Sequence, residues 1–223
     1  MSNIDSPLHN DNRNYDYSNT FTEEREEYKL ICEMVEPNSK ALDLGCGNGS
    51  LLERLRKERN VTGEGIELSS SGVEACKKKG LKVNQGRIDE KLPFDDNSFD
   101  YSICNVTIQM VMYPEVLLNE MKRISKYQIV SFPNFAHYKN RLDLLFKGKM
   151  PKPMLFGYKW YNTGHIHQLS IKDFYELVDD VGNLKVLKMK NLMGPNPIKR
   201  FISMFIPNVF VPETIFLLTS SND

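Results

Sequence analysis

The sequence is short of the features that tie a chain to a charged, secreted or membrane setting. Neither sign of charge is in excess: lysine plus arginine and aspartate plus glutamate each number 29. A neutral chain has no whole-molecule field to hold a polyanion or an anionic membrane, so nucleic acid and membrane surfaces are not the expected partners. Cysteine is scarce. Cys32, Cys46, Cys76 and Cys104 stand apart with no C-x-x-C pair, and no basic start followed by an apolar run opens the chain; the pattern reads as a reduced, cytoplasmic protein. Long hydrophobic runs are missing too. The most apolar stretch, residues 201–218, is broken by Pro207, Pro212 and Glu213, whereas a membrane-spanning helix needs about 20 mostly apolar residues. What is present is 223 residues with 40% hydrophobic side chains, enough for one domain with a sizeable core and too apolar for a disordered chain.

Residues 1–22 are crowded with Asn, Asp and Ser around isolated tyrosines and follow neither hydrophobic period, so a disordered tail is expected ahead of a domain spanning 23–223. From Glu23, Tyr28, Ile31, Cys32 and Val35 recur at helical spacing until Pro37, which ends the helix. KALDLGCGNGSLLERLRKE then reads as a strand, a glycine-rich turn and a helix with Leu51, Leu52 and Leu55 on one stripe. Further strands are expected at 62–67, 82–85, 99–105 and 127–132, with helices near 71–79 and from Pro114 along Val116, Leu117, Met121 and Ile124. Strands alternating with helices need crossover connections, hence a doubly wound α/β fold with a mostly parallel sheet. Residues 134–170 break the rhythm. Rich in aromatics, Lys, Pro and Gly, they far exceed the usual connection of about 4–6 residues and are expected to form a cap insertion after the fifth strand. A helix at 171–181 and strands at 184–190 and 209–219 complete the pattern, with Pro212 at an edge or bulge.

The turn Gly45-Cys46-Gly47-Asn48-Gly49 is the first chemical candidate, because bare backbone between a strand and a helix can approach a ligand closely. A dinucleotide-binding turn is spaced G-x-G-x-x-G; here Ser50 takes the third glycine's slot, which disfavours a nicotinamide dehydrogenase. No G-K-[ST] follows, so a P-loop is excluded. A tight turn without a ligand stays open as the plain alternative. Glu67 closes the second strand about 20 residues on, where α/β nucleotide binders set a carboxylate on ribose hydroxyls. A solvated glutamate at a strand end is the other reading. Asn105 and Gln109 lie just past the fourth strand and offer amide donors and acceptors to a ligand, or simply cap and solvate.

These tracts resemble the class I S-adenosylmethionine-dependent methyltransferases, whose first motif is similar to ALDLGCGNGS. The resemblance implies a Rossmann-like seven-stranded sheet that binds S-adenosylmethionine, with Asp43 holding the amino-acid end and Gly45, Cys46, Gly47 and Gly49 wrapping the methionyl part. Glu67 and Leu68 follow on the ribose side. GRIDEKLPFDDNSFDYSICN is similar to the family's next tract but places Arg87 at its usual acidic position. Ile88 is left to pack on adenine and Asp89 to accept from the exocyclic amine, with Asn105 nearby.

Downstream, SFPNFAHYKNRLDLLFKGKMP, YKWYNTGHIHQLSIKDF and NVFVPETIFLL resemble the MetW methionine-biosynthesis family, the likeness running from about Glu23 to Leu218. That family implies work beside homoserine O-acetyltransferase as a partner protein and leaves the methyl acceptor, a small molecule, unnamed. His165 stands where the family has Asn. His137, His165, His167, Tyr158, Trp160 and Tyr161 are the residues to expect near a second ligand, His137, His165, His167 and Tyr161 being weak catalytic candidates; packing against the sheet is the alternative. Spacing of i, i+2 with no cysteine nearby argues against zinc at His165 and His167. Arg141, Lys147, Lys149 and Lys152 form a local basic cluster, either solvated or facing an acidic partner. Three readings follow: a methyltransferase acting on a small metabolite, a cofactor-binding partner of the acyltransferase, and, least favoured, the dehydrogenase.

Overall fold

A computed structural model describes Tyr17, residues 25–151, Trp160 and residues 163–220. The expected tail, Tyr17 apart, and the candidates Lys152, Tyr158 and Tyr161 lie outside the described residues. Helix α1 (Glu26–Met34) turns Tyr28, Ile31 and Cys32 inward and leads into β1 (Lys40–Leu44). Then follow α2 (Ser50–Arg59), β2 (Thr62–Glu67), α3 (Ser70–Lys78), β3 (Lys82–Gln85) and β4 (Phe99–Asn105). Next come α4 (Pro114–Ile124), opened by its proline, β5 (Ser125–Pro133) and α5 (Tyr138–Lys147). Helix α6 (Ile171–Val181) starts on a reciprocal cap between Ser170 and Asp173, which satisfies two otherwise orphaned N–H groups. Strand β6 (Leu184–Leu192), α7 (Pro197–Phe205), α8 (Pro207–Phe210) and β7 (Glu213–Ser220) finish the chain.

The seven strands form one sheet in the order β3-β2-β1-β4-β5-β7-β6. β1 pairs in parallel with β2 and with β4, and the parallel pairing continues to β3 and β5, while β7 runs antiparallel to both its neighbours. Order therefore reverses between β2-β1 and β1-β4, the point where open α/β sheets open a crevice beyond their carboxyl ends. One core face joins Leu42, Leu44, Phe99, Leu117 and Met121 to Phe132, Phe174 and Phe216. On the other face, Ile31, Val35, Leu51 and Leu55 from α1 and α2 pack over Ala41, Ile103 and Ile129. Among the described residues no helix is long and apolar enough to cross a membrane.

The end of the chain departs from expectation. The sequence pattern predicts a strand from Val209, but α7 and α8 come first and β7 begins at Glu213. Asn196 accepts the N–H of Lys199 and Pro197 takes the first turn, so a cap and a proline in its favoured place start a helix in a stretch to which the sequence pattern assigns no element. Pro212 falls just before β7 rather than at an edge or bulge. The strand itself is interior.

Candidate functional site

Strand β1 ends in the glycine turn, and neighbouring backbone laces the turn in place. The N–H groups of Gly45 and Cys46 both donate to the Ile66 carbonyl, at 2.9 and 3.1 Å, and Gly49 N–H donates to the Cys46 carbonyl at 2.9 Å. Gly45, Gly47 and Gly49 all have positive φ. At Gly49 a side chain is barred twice, since an added Cβ would sit 2.5 Å from Leu81 Cδ1 and 2.8 Å from Cys76 Sγ. This is close packing of α3 and the residue before β3 against the turn. Cys46 turns its thiol to the same side, 3.9 Å from Cys76 Sγ, so only its backbone is available to a ligand in front. At Gly45 the Cβ direction runs into Thr107, which follows β4.

The carboxylate of Glu67 grips the turn. Its Oε2 accepts Gly47 N–H at 2.7 Å and its Oε1 accepts Ser69 N–H at 2.8 Å. Glu67 is therefore not a solvated strand-end residue; it is buried and pins the loops after β1 and β2 to each other. Asp43, on β1, is 2% exposed. Among the described residues no donor reaches its carboxylate. Burial, and then the charge of Glu67, push its pKa up to about 7. A buried carboxylate without a hydrogen bond is costly unless a cation or donor meets it.

The segment after β3, where the resemblance implies adenine, is held in place by Asp89. Asp89 is buried and its carboxylate takes Arg87 Nε at 3.0 Å on one oxygen; the other takes an Arg87 terminal nitrogen at 2.8 Å and the N–H groups of Met112 and Tyr113 at 2.8 and 3.2 Å. Three of the four donors crowd Oδ2, and Oδ1, with one, keeps capacity for another. Asp89 thus ties the segment after β3 to the segment before α4. Ile88 belongs to the main core cluster. Leu68 is half-buried, and its carbonyl accepts from the Gln85 side chain at 3.1 Å.

Beyond β4, Ser131 hydroxyl donates to Asn105 Oδ1 at 2.6 Å and accepts Val106 N–H at 3.0 Å. Val106 itself has φ of 51°. A β-branched residue in left-handed backbone is a genuine outlier, and such strain clusters at functional sites. Gln109 is buried, donates through its amide to the Val106 carbonyl at 2.9 Å, and finds no partner for its side-chain oxygen among the described residues. Its backbone carbonyl accepts Ile166 N–H at 2.9 Å and His167 N–H at 3.0 Å, which fastens 163–170 to the end of β4. His167 Nε2 and Asn140 Oδ1 are likewise buried without partners among the described residues. A cavity of about 360 Å³ opens here between Ile108, Pro114, Ile166, His167, Leu169 and Leu177.

The histidines divide. His137 precedes α5, is buried, and has its pKa pushed down to about 4 by burial and by the charges of Lys139 and Lys199. It is a neutral imidazole at pH 7. His165 is buried as well, whereas Trp160 is 71% exposed. In the basic cluster, Lys147 pairs with Asp143 one turn back and Arg141 donates to the Ala136 carbonyl. Sequence reading missed Val106, Ser131 and Asn140, which no local pattern marks. It also missed Tyr17, whose ring lies in front of Gly47: a Cβ there would come 3.2 Å from the phenol oxygen.

Comparisons with known proteins agree with this architecture. A bifunctional methionine biosynthesis protein MetXA/MetW of Rhodopirellula baltica is 36% identical over 167 residues, covering 70% of this chain but 26% of that one, so the chain spans about a quarter of this relative. A demethylmenaquinone methyltransferase of Staphylococcus aureus is 29% identical over 173 residues, 68% of this chain and 70% of the relative. Among solved structures, a SAM-dependent methyltransferase of Thermotoga maritima superposes with a TM-score of 0.58 at 21% identity, covering 87% of each chain. The fold is that of the Rossmann-like methyltransferases. With the model for "Methionine biosynthesis protein MetW" matching residues 25–218, the chain belongs to the MetW family.

Proposed function

We propose that the chain is an enzyme that binds S-adenosylmethionine beyond the carboxyl ends of β1 and β2 and transfers its methyl group to a small-molecule acceptor beyond β4 and β5. One observation carries the reading: a buried Asp43 carboxylate, unmet by any donor among the described residues, beside a turn of bare backbone. The ligand that suits it brings a cation and no phosphate, and the amino-acid end of the cofactor does both. In this reading Asp43 holds the ammonium, the backbone of Gly45, Cys46, Gly47 and Gly49 follows the methionyl chain, and Glu67 accepts from ribose hydroxyls. Leu68, Arg87, Ile88 and Asp89 border the adenine, with Asn105, its Oδ1 held by Ser131, offering its amide nitrogen to the ligand.

When bound, S-adenosylmethionine supplies an electrophilic methyl group on a sulfonium. The chain's own contribution is alignment and exclusion of water, and proximity alone can account for about 7–11 kcal/mol of barrier. No dedicated base is required for an acceptor that is already nucleophilic. His137, neutral because its pKa is held near 4, can take up a proton only from a strongly acidified group; His167, on the rim of the 360 Å³ cavity, is the better placed histidine, within the cap expected at 134–170. The buried, reduced thiols suit the cytoplasm.

Titration calorimetry with S-adenosylhomocysteine and, separately, NAD tests the cofactor: binding of the former alone is expected, and binding of NAD alone overturns the reading. A second reading rests on the Rhodopirellula relative, whose name joins MetXA and MetW in one chain. Here the chain binds the cofactor and acts on homoserine O-acetyltransferase, with a coupling energy between the two sites. Co-purification of the acyltransferase in a cofactor-dependent manner supports it, and failure of the two proteins to associate ends it.

A further inference from the structure

Tyr17 lies 30 residues before Gly47 by its number in the sequence, yet it is built into the wall of the crevice. Its backbone N–H donates to Ser71 Oγ at 3.0 Å, and Ser71 exchanges a 2.9 Å hydrogen bond with Ser69, whose own N–H is held by Glu67. The ring lies across two glycines. An added Cβ at Gly47 would stand 3.2 to 3.4 Å from the phenol oxygen and ring carbons; one at Gly72 would stand 3.2 Å from Cδ2 and 2.8 Å from both Glu67 Cγ and the Gly47 carbonyl. Tyr17, Gly47, Gly72 and Glu67 are thus one packed layer. The absence of side chains at Gly47 and Gly72 makes room for this ring.

A tyrosine in that position can do one of two things. It can fill the space a ligand would need, or it can be the surface the ligand rests on. The Glu67 side chain decides between them, because its carboxylate is fixed by the N–H groups of Gly47 and Ser69 and its Cγ flanks the same point above Gly72 as the ring's Cδ2, at 2.8 and 3.2 Å. Hydroxyls meeting Glu67 from the crevice must then lie alongside the phenol, which offers an apolar face to a sugar and an O–H at its end. We propose that Tyr17 is a ligand-binding residue of the cofactor site, contacting the ribose portion of an adenosyl compound together with Glu67. This rests on the cofactor reading above, and it extends the site to a residue outside the glycine turn and the strands.

The test measures S-adenosylhomocysteine and adenosine affinity by calorimetry for the wild-type chain, Tyr17→Phe and Tyr17→Ala, with thermal unfolding of each free protein as the control for folding. Tyr17→Ala is expected to bind S-adenosylhomocysteine about tenfold more weakly or worse, the scale of one lost aromatic contact. Tyr17→Phe should keep most of the affinity, and the same order should hold for adenosine, since the contact is to the ribose and not to the methionyl chain. Unchanged or tighter binding by Tyr17→Ala overturns the proposal; tighter binding identifies the ring as an obstruction. A loss seen with S-adenosylhomocysteine but not with adenosine overturns it as well, by moving the contact off the sugar. If the wild-type chain binds neither compound, the cofactor reading itself has failed, a result distinct from wild-type binding that Tyr17→Ala leaves intact.

Discussion

Asp43 is the residue on which charge recognition turns, and its titration gives the sign of a pH effect. In the folded chain its pKa is raised to about 7, first by burial and then by Glu67, against an ordinary aspartate value near 3.9. The native state therefore holds a proton that the unfolded chain has released between those two values, and ligand-free stability falls as pH rises through that window. Asp43→Asn removes the penalty. The variant should melt at a higher temperature than the wild type at pH 8 and lose that advantage near pH 4, as followed by circular dichroism. A cationic ligand has the opposite preference. Affinity for S-adenosylhomocysteine should climb as pH passes from 6 to 8, where Asp43 ionises, and Asp43→Asn should abolish the climb and bind about tenfold more weakly at pH 8, the loss of a charged hydrogen bond. A flat wild-type profile over that range would sever the link between Asp43 and ligand charge. Glu67→Gln tests the neighbour. With one acceptor oxygen where two N–H groups are now held, it should lower stability by about 2–3 kcal/mol in urea denaturation, since bonds to charged groups are worth about 1.5–3 kcal/mol.

At the scale of elements, the segment from β1 through the turn into α2 joins local signals with tertiary packing. Gly49 and Gly80 both have positive φ, 74° and 66°, but a Cβ at Gly49 collides with Leu81 and Cys76 while nothing lies within 4 Å at Gly80. Alanine at Gly80 should therefore cost about 1–2 kcal/mol for backbone strain alone. At Gly49 overpacking adds about 1–3 kcal/mol; a chemical denaturation curve for each variant gives the comparison, and equal losses would mean that the turn is not packed as described. The same contrast explains what was legible. β2, β3, β4 and α6 read to the residue because hydrophobic period and breakers act over a few positions, and the turn with Glu67 was readable because the spacing along one strand-helix-strand unit fixes where a carboxylate emerges. The tie that Asp89 makes to the start of α4 was not legible, because its partners, Met112 and Tyr113, lie 23 and 24 residues away. Tyr17 escaped for a similar reason: Ser71 is 54 residues distant. For α7, Ile198, Phe201, Met204 and Phe205 are all exposed, so its apolar side does not mark burial and the Asn196-Pro197 start was the only dependable signal.

Across the whole molecule, the sheet separates stability from binding. The crevice forms where β1 parts from β4, whereas Phe132, Phe174 and Phe216 stack with ring centroids 4.7 to 5.8 Å apart around β5, β7 and α6. β4 and β5 lie between β1 and β7, a separation of roughly 14 Å at the usual strand spacing. Sites that far apart with no shared partner contribute almost additively. Phe216→Ala should thus cost about 3–5 kcal/mol, the range for removing a buried phenylalanine, while the molecules that remain folded bind S-adenosylhomocysteine with wild-type affinity. Asp43→Asn should do the reverse, keeping or raising stability and losing affinity. Measuring both quantities for both variants and their combination gives a double-mutant cycle whose coupling energy should vanish within about 0.5 kcal/mol. Coupling beyond that range would mean that the antiparallel half of the sheet takes part in shaping the crevice, and that β7, besides covering the edge of β5, transmits its packing through two strands to the carboxylate on β1.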